Sequence, residues 1–358
     1  MRKTTSVFAG IKRKLSLFKI DALLVSSPVN IRYLAGFFTH GALMLVPAEG
    51  APVYFLDDMN KTLGEKFIKA KGLYIVSSEK SPARNLTDFL KSKGIKKLGF
   101  NDKAVTLERY NDLLKFVPDL KITSSAQQVN FSSILEGIRE IKTPSEIKII
   151  RKAAIETVRI WKKVSRRVTP GMTEQKIAGM IDTEILARGY ENSFKTIAAS
   201  GENTAYPHAR PTTRRFKKNE HLLVDFGIKA EGYCSDLTRT LYNGRINPQI
   251  EDFRKFVYEA RKEAIKMVKP GVLLSSVAEG INNLFVRRGV REYVLHGAGH
   301  GVGCEVHEEP FFRKNSKKRF KEGMVITIEP GLYKAGTGGV RFEDMVLVTE
   351  KENEVLTR

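Results

Sequence analysis

The chain has 358 residues, 42% hydrophobic and 28% charged, with a formal charge of +21 at neutral pH. That length exceeds one ordinary core and the composition excludes a disordered chain; no run approaches the ~18–20 apolar residues of a membrane span, and the opening MRKTTSVFAGIKRKL lacks the apolar stretch of a secretory signal. The basic excess is spread along the chain, and its densest stretch, RKNSKKRFK (313–321), holds a single aromatic, Phe320, where a nucleic-acid groove sets aromatic platforms beside its cations. It reads as a lysine-rich solvated surface, with neither a membrane nor nucleic acid expected as a partner.

The first part alternates strand and helix patterns. Strands are expected at ALLVSS (22–27), ALMLV (42–46), APVYFLDD (51–58), GLYIVSS (72–78) and KKLGF (96–100), with helices at TLGEKFIKA and at LTDFLKSKG, the latter closed by Gly94. This predicts a smaller α/β domain over residues 1–130. No G-x-x-x-x-G-K-[ST] occurs, and the glycines at 297, 299, 301 and 303 do not form G-x-G-x-x-G, so nucleotide binding has no support. The polar run SSAQQVNFSS (124–133) marks a boundary. Thr143-Pro144-Ser145-Glu146 then opens a helix with Ser145 as its expected N-cap, and Trp161 falls on the apolar stripe of that helix as a core residue. Thr169-Pro170-Gly171 breaks the pattern, MTEQKIAGMIDTEILARG (172–189) resumes it, and further helices are expected at 251–269 and 275–288. Strands are clearest at HLLVDFGI (221–228), YCSDLTRTLY (233–242), MVITIE (324–329) and VRFEDMVLVT (340–349). The result is a second, α+β domain with an antiparallel sheet over residues 137–358. No internal repeat stands out.

Several carboxylates lie where apolar strands should bury them. Asp225 sits inside LLVDFGI, and a bare buried carboxylate costs several kcal/mol unless something compensates it. Asp236 follows in the next strand. A turn at Ala230-Glu231 would set the two acids directly opposite, and one at Glu231-Gly232 diagonally; in both cases they share a face, about 4.5–8 Å apart. An ion pair with Arg239 is the plain structural alternative. The pattern repeats with Glu329, ending MVITIE, and Glu343, which faces the same way as Arg341. HGAGHGVGCEVHEEP (296–310) adds His296, His300 and His307 on a glycine-rich stretch. Without H-E-x-x-H, and with alternating glycines opposing a helix, this stretch suits an extended backbone that lets imidazoles crowd one centre. Four carboxylates and one imidazole form a hard donor set whose charge two divalent ions balance. Mn²⁺ or Co²⁺ is expected, with Fe²⁺ or Zn²⁺ compatible.

DFGIKAEGYCSDLTRT (225–240), HGAGHGVGCEVHEEP (296–310), ITIEPGLY (326–333), GGVRFED (338–344) and IAASGENTAYPHA (197–209) together resemble the pita-bread metallopeptidases, in the branch of aminopeptidase P and prolidase. The stretch NIRYLAGF (30–37) resembles, more weakly, their creatinase/prolidase-type N-terminal domain. The resemblance implies a pita-bread catalytic domain and a metal set of Asp225, Asp236, His300, Glu329 and Glu343. In that set Asp225 chelates one ion, Asp236 and Glu343 bridge both, and His300 and Glu329 hold the other. It further implies Glu329 as proton shuttle and His208 and His307 as substrate-binding groups that stabilise the tetrahedral intermediate. His296 would line the pocket, and Arg341 would orient a metal carboxylate at its edge. The implied substrates are peptides with proline in second position. The main reading is an Xaa-Pro aminopeptidase, with an Xaa-Pro dipeptidase as alternative. A dipeptidase must hold a free C-terminal carboxylate, for which Arg313 is the candidate. A rival of another class, a non-catalytic pita-bread module binding nucleic acid or protein, is opposed by the complete ligand set. A homodimer is expected, with His40 of GFFTHGAL reaching the neighbour's cleft. Two cysteines, Cys234 and Cys304, make no disulfide framework, which fits a cytoplasmic location.

Overall fold

The computed structural model describes residues 2–68, 72–100, 104–123 and 131–358. The chain divides into two compact units, Met1–Ile138 and Arg139–Arg358. Residues 124–130 of the polar boundary run lie outside the described residues.

In the first unit one six-stranded sheet contains β1 (Ala22–Val25), β2 (Leu43–Pro47), β3 (Val53–Asp57), β4 (Tyr74–Ser78), β5 (Lys97–Phe100) and β6 (Lys121–Thr123), in the order β4-β3-β2-β1-β5-β6. β1–β2 and β2–β3 pair antiparallel and the other neighbours parallel, the latter joined through helices. Each of the five expected strands is present. The sheet is covered on both faces: one core gathers around Met44, Tyr54 and Leu56, and the other around Leu45, Phe55 and Leu98. A helix at Arg2–Leu17 occupies the opening segment, with Ile11 and Leu15 fully buried. Gly94 follows the helix Pro82–Ser92 with φ +61°, a conformation glycine takes without strain.

The second unit is α+β, and each of its strand pairs is antiparallel. Its strands are β7 (Glu191–Asn192), β8 (Ile197–Ser200), β9 (Glu220–Phe226), β10 (Ile228–Ala230), β11 (Tyr233–Cys234), β12 (Leu237–Asn243), β13 (His300–Gly301), β14 (Glu308–Phe311), β15 (Val325–Ile328), β16 (Gly331–Lys334), β17 (Gly338–Arg341), β18 (Asp344–Val348) and β19 (Asn353–Val355). The orders are β11-β10-β7, β12-β9-β8, β14-β13-β15-β18-β19 and β16-β17. Helices Pro144–Ser165, Glu174–Ala187, Pro248–Met267 and Leu274–Arg287 bury their apolar faces against these sheets. The first is capped by Thr143 rather than Ser145. The Thr143 hydroxyl accepts from the Glu146 amide while the Glu146 carboxylate accepts from the Thr143 amide, a reciprocal cap that Ser145, already inside the helix, cannot make. Trp161 is buried, as its place on the stripe predicts.

The structure also shows a repeat that the sequence conceals. Gly171 and Gly271 both have positive φ and precede a helix; each amide donates to the carbonyl of a phenylalanine, Phe216 or Phe320. Each glycine's carbonyl accepts from an arginine, Arg215 or Arg319, at 2.7 Å in both cases. Isolated bridges Thr173–Arg215 and Leu273–Arg319 complete the match. Each helix ends at a positive-φ glycine, Gly189 or Gly289, and each unit continues into a strand of the site, β9 or β15.

Candidate metal centre

The acids converge because strand ends converge. A turn of two positive-φ residues, Glu231 (49°) and Gly232 (86°), joins β10 to β11 and selects the second of the two expected registers. Asp225 therefore pairs with Thr238, and Asp236 stands diagonally across the same face. Between them Gly227 is obligatory: a Cβ there would lie 1.9 Å from the Ser235 carbonyl oxygen. In the other half Ile328 pairs with Asp344, so continuing that register brings Glu329 and Glu343 together. The Glu343 amide donates to the Thr238 carbonyl at 3.2 Å, which ties the two halves together. His300 enters on β13, where a Cβ on Gly301 would lie 2.4 Å from the Glu309 carbonyl oxygen. Only glycine allows this approach.

Three overlapping groups result: Asp225, Asp236 and Glu343; His300, Glu329 and Glu343; Asp236, His300 and His307. Within each, one donor atom per residue lies within 4.8 Å of the others. Asp225, Asp236, His300 and Glu343 are buried, at 8%, 4%, 7% and 2% exposure. Asp225 Oδ1, Asp236 Oδ1 and Glu343 Oε1 are buried with no hydrogen-bond partner. Buried anionic oxygens without partners are rare because each carries its full desolvation penalty. The imidazole of His300 deepens the imbalance. Its Nδ1 lies 3.1 Å from the Gly301 carbonyl, which only an N–H satisfies. Nε2 then offers a lone pair, 3.3 Å from Glu329 Oε1 and 3.8 Å from Asp236 Oδ2. A lone pair facing carboxylates demands a cation, so these side chains fit divalent metal.

Without a metal, protons must answer the same charge. Burial, and after it the charge of Glu343, pushes Asp236 well above the usual carboxylate range; burial and the charge of Glu329 do the same to Glu343. Burial also acts upward on Glu329, but the hydrogen bond and charge of His300 outweigh it and hold Glu329 down at about 2. For His300, burial pulls downward and the Glu329 bond prevails, leaving its pKa raised.

Behind the acids runs a buried polar chain. Arg341 Nη2 donates to Asp225 Oδ2 at 2.6 Å, its Nε to Thr238 Oγ1 at 3.0 Å and its Nη1 to the Tyr333 hydroxyl at 2.8 Å. The Thr238 hydroxyl in turn donates to Glu343 Oε2 at 2.8 Å. The Tyr333 hydroxyl lies 2.7 Å from His296 Nε2, and His296 Nδ1 lies 2.8 Å from the Gly297 carbonyl. These partners assign the proton of His296 to Nδ1. Arg239 goes elsewhere, pairing with Asp344 at 2.8 Å, so neither Asp225 nor Asp236 is answered by it. Tyr333 and Thr238 were not singled out from the sequence; the only signal was their place within ITIEPGLY and YCSDLTRTLY.

A cavity of about 750 Å³ opens over the cluster, lined by Asp225, Asp236, His300, Glu329 and Glu343 together with His208, His296, His307 and Arg341. His208 and His307 are exposed, and the His307 ring stands edge-on to His300 with centroids 4.3 Å apart. Arg313 is not among the lining residues. It points to solvent and pairs with Glu309 at 2.8 Å. His40 is exposed in the turn before β2 of the first unit.

A strand-built cavity of hard donors under imidazoles, in an α+β unit preceded by an α/β unit, defines a metallohydrolase. The chain belongs to metallopeptidase family M24, whose model matches residues 148–350, and its residues 9–141 match the creatinase/prolidase N-terminal domain. It is 31% identical to an Xaa-Pro dipeptidase of Pyrococcus horikoshii, over 95% of this chain and 93% of that one. Among solved structures it resembles an Xaa-Pro dipeptidase from Bacillus anthracis (TM-score 0.93, 28% identity, 99% and 98% of the chains). It also resembles an X-Pro aminopeptidase from Thermotoga maritima (TM-score 0.85, 26% identity, 97% of each chain).

Proposed function

We propose that this peptidase is a dinuclear Xaa-Pro dipeptidase. The observation that carries the metal part is the trio of unpartnered buried carboxylate oxygens, on Asp225, Asp236 and Glu343, in one cluster with the His300 lone pair that is directed at Glu329 and Asp236. Asp225, Asp236, His300, Glu329 and Glu343 would hold the ions. The donors, four carboxylates and one imidazole, favour Mn²⁺ or Co²⁺ and remain compatible with Fe²⁺ or Zn²⁺. A bound ion pair supplies positive charge that acidifies a water and polarises a peptide carbonyl.

The chain's own groups supply the rest. Glu329 takes the proton of the attacking water and passes it to the departing imide nitrogen. His208 and His307 donate to the oxyanion of the tetrahedral intermediate. His296, its proton fixed on Nδ1, walls the pocket. Arg341 holds Asp225 in place and leaves Oδ1 to the metal. Proline in second position suits such a rigid cavity, because its ring fixes φ and removes an N–H that would need an acceptor. The sequence favoured an aminopeptidase, but similarity to the Pyrococcus horikoshii and Bacillus anthracis dipeptidases moves the choice to the dipeptidase. We also assign the enzyme to the cytoplasm, where its two buried free cysteines stay reduced, and to a homodimer in which His40 approaches the neighbouring cleft.

The test is hydrolysis of Ala-Pro, Ala-Pro-Ala and Ala-Ala after chelation and reloading with Mn²⁺ or Co²⁺. Metal-dependent turnover of Ala-Pro alone is expected. Turnover of Ala-Pro-Ala at a comparable rate returns the assignment to aminopeptidase, and no turnover by folded, metal-loaded protein refutes both.

A further inference from the structure

Three cations line the cavity: Lys195, Arg210 and Arg341. Arg341 is buried and committed to Asp225, Tyr333 and Thr238. Lys195 and Arg210 are exposed and have neither an ion-pair nor a hydrogen-bond partner among the described residues. The cavity thus holds two cations without partners among the described residues alongside four carboxylates. Arg210 is also constrained by its sequence. It precedes Pro211, whose ring pushes the preceding residue toward extended backbone, and it follows His208 by two residues, both on the cavity wall.

We infer that Lys195 and Arg210 bind the free C-terminal carboxylate of the substrate and so select dipeptides. The inference rests on the peptidase reading above. In an Xaa-Pro dipeptide the carboxylate is carried by the proline Cα, the ring carbon bonded to the imide nitrogen, so it lies a fixed short distance from the scissile bond. Entering the cavity strips its water, and a desolvated carboxylate needs a cation; a guanidinium offers it a two-pronged hydrogen bond. A longer peptide places a neutral amide at the same point, which gains nothing from either cation. Arg313, the candidate from the sequence, is bonded to Glu309 outside this wall, so the role falls to residues already in the cavity.

The test compares Ala-Pro with Ala-Pro-amide on metal-loaded wild type, Lys195→Gln, Arg210→Gln and the double variant. Each lost charge-assisted bond should lower kcat/KM on the acid about tenfold more than on the amide, mainly through KM. Equal losses on both substrates, or none on either, overturn the assignment. Calorimetric titration of metal-free protein with the same two ligands gives a reading independent of turnover. Wild type should bind the acid more tightly, and the double variant should lose that difference; equal affinities in wild type overturn the assignment. If wild type shows that binding difference but cleaves neither ligand once loaded, the dipeptidase reading fails and the carboxylate site stands.

Discussion

Asp236→Asn separates the metal-binding role from a structural one, because the two predict opposite signs for stability. In metal-free protein the Asp236 carboxyl is buried beside Asp225, Glu329 and Glu343, has an unpartnered Oδ1, and is pushed upward first by burial and then by the Glu343 charge. A neutral amide of the same shape removes one repelling charge, and its NH₂ donates to the carboxylates around it. The penalty lifted is that of one unsatisfied buried polar group, about 2 kcal/mol. For a cooperative unit of this size that is roughly 4–8 °C in Tm. The sign follows from the pKa. A carboxyl raised in the folded state favours folding only where it keeps its proton, so above the unfolded-state value of about 3.9 the native acid is a liability that grows with pH. With metal the order reverses. Wild type should gain about 2.7 kcal/mol at a hundred-fold excess of ion over Kd, while the variant, short of one charge, gains much less and loses peptidase activity. The assay is calorimetric melting at pH 7.5, with chelator and with Mn²⁺, alongside Ala-Pro hydrolysis. A variant less stable than wild type under chelation, yet still stabilised by Mn²⁺, would refute the reasoning.

Other tests follow from the surroundings. Tyr333→Phe removes the hydroxyl shared by His296 and Arg341; the fold should persist at a cost of about 1 kcal/mol, while turnover falls about tenfold and the His296 ring loses its fixed tautomer in nitrogen NMR spectra. Unchanged turnover would remove Tyr333 from the site. Arg139→Met strips one of two cations from the buried Glu308 carboxylate, leaving only Lys142 at 3.0 Å; a loss of about 3–5 kcal/mol is expected by urea unfolding, and a loss below 1 kcal/mol would show the pair to be replaceable. His221 is buried against Thr204 and depressed by burial to about 4 from its ordinary 6.5, so the stability it contributes is complete above pH 6.5 and lost as pH falls to about 4. That window is worth about 3 kcal/mol. His221→Gln should flatten this part of the stability profile, and an unaltered slope would assign it to other groups.

What was legible in the sequence was whatever a local pattern encodes. Period-two and period-3.6 spacings mark the first unit's strands and the second unit's long helices, and acids inside apolar runs mark the acidic cluster. Elements lacking such contrast leave no local signal. Arg2–Leu17 interleaves its buried Ile11 and Leu15 with basic residues, which hides its apolar face from any spacing pattern. The T-P-S-E sequence offers two hydroxyls as cap, Thr143 and Ser145, and only three-dimensional reciprocity with Glu146 decides for Thr143. Tyr333 and Thr238 act through partners distant in sequence, so no spacing announces them. Arg313 stood near His307 in sequence, but its neighbour Glu309 satisfies it first.

The concealed repeat explains why the cluster holds more acids than one ion requires. What the two halves share is backbone: the positive-φ turns at Gly171 and Gly271, the amide-to-carbonyl links to Phe216 and Phe320, and the arginines that close each turn. Glycine and hydrogen-bond geometry constrain few side chains, so sequence identity between the halves drifts while the turn survives. Each half then extends a strand into the centre and ends it in an acid, Asp225 nine residues after Phe216 and Glu329 nine residues after Phe320. A second acid, Asp236 or Glu343, stands immediately before the strand that pairs with that first one, β12 or β18. Two copies of one device, each delivering two carboxylates, supply four negative charges around a shared centre. Even with the Arg341 cation beside Asp225, one divalent ion leaves part of that charge unanswered in a buried site, which a second ion answers. On this argument the second ion follows from the doubling of the fold, so swapping Asp225 for Glu should disturb one ion position more than the other. Metal titration monitored by calorimetry should then resolve one weakened and one nearly unchanged binding step, and uniform weakening of both would count against the two-half origin of the site.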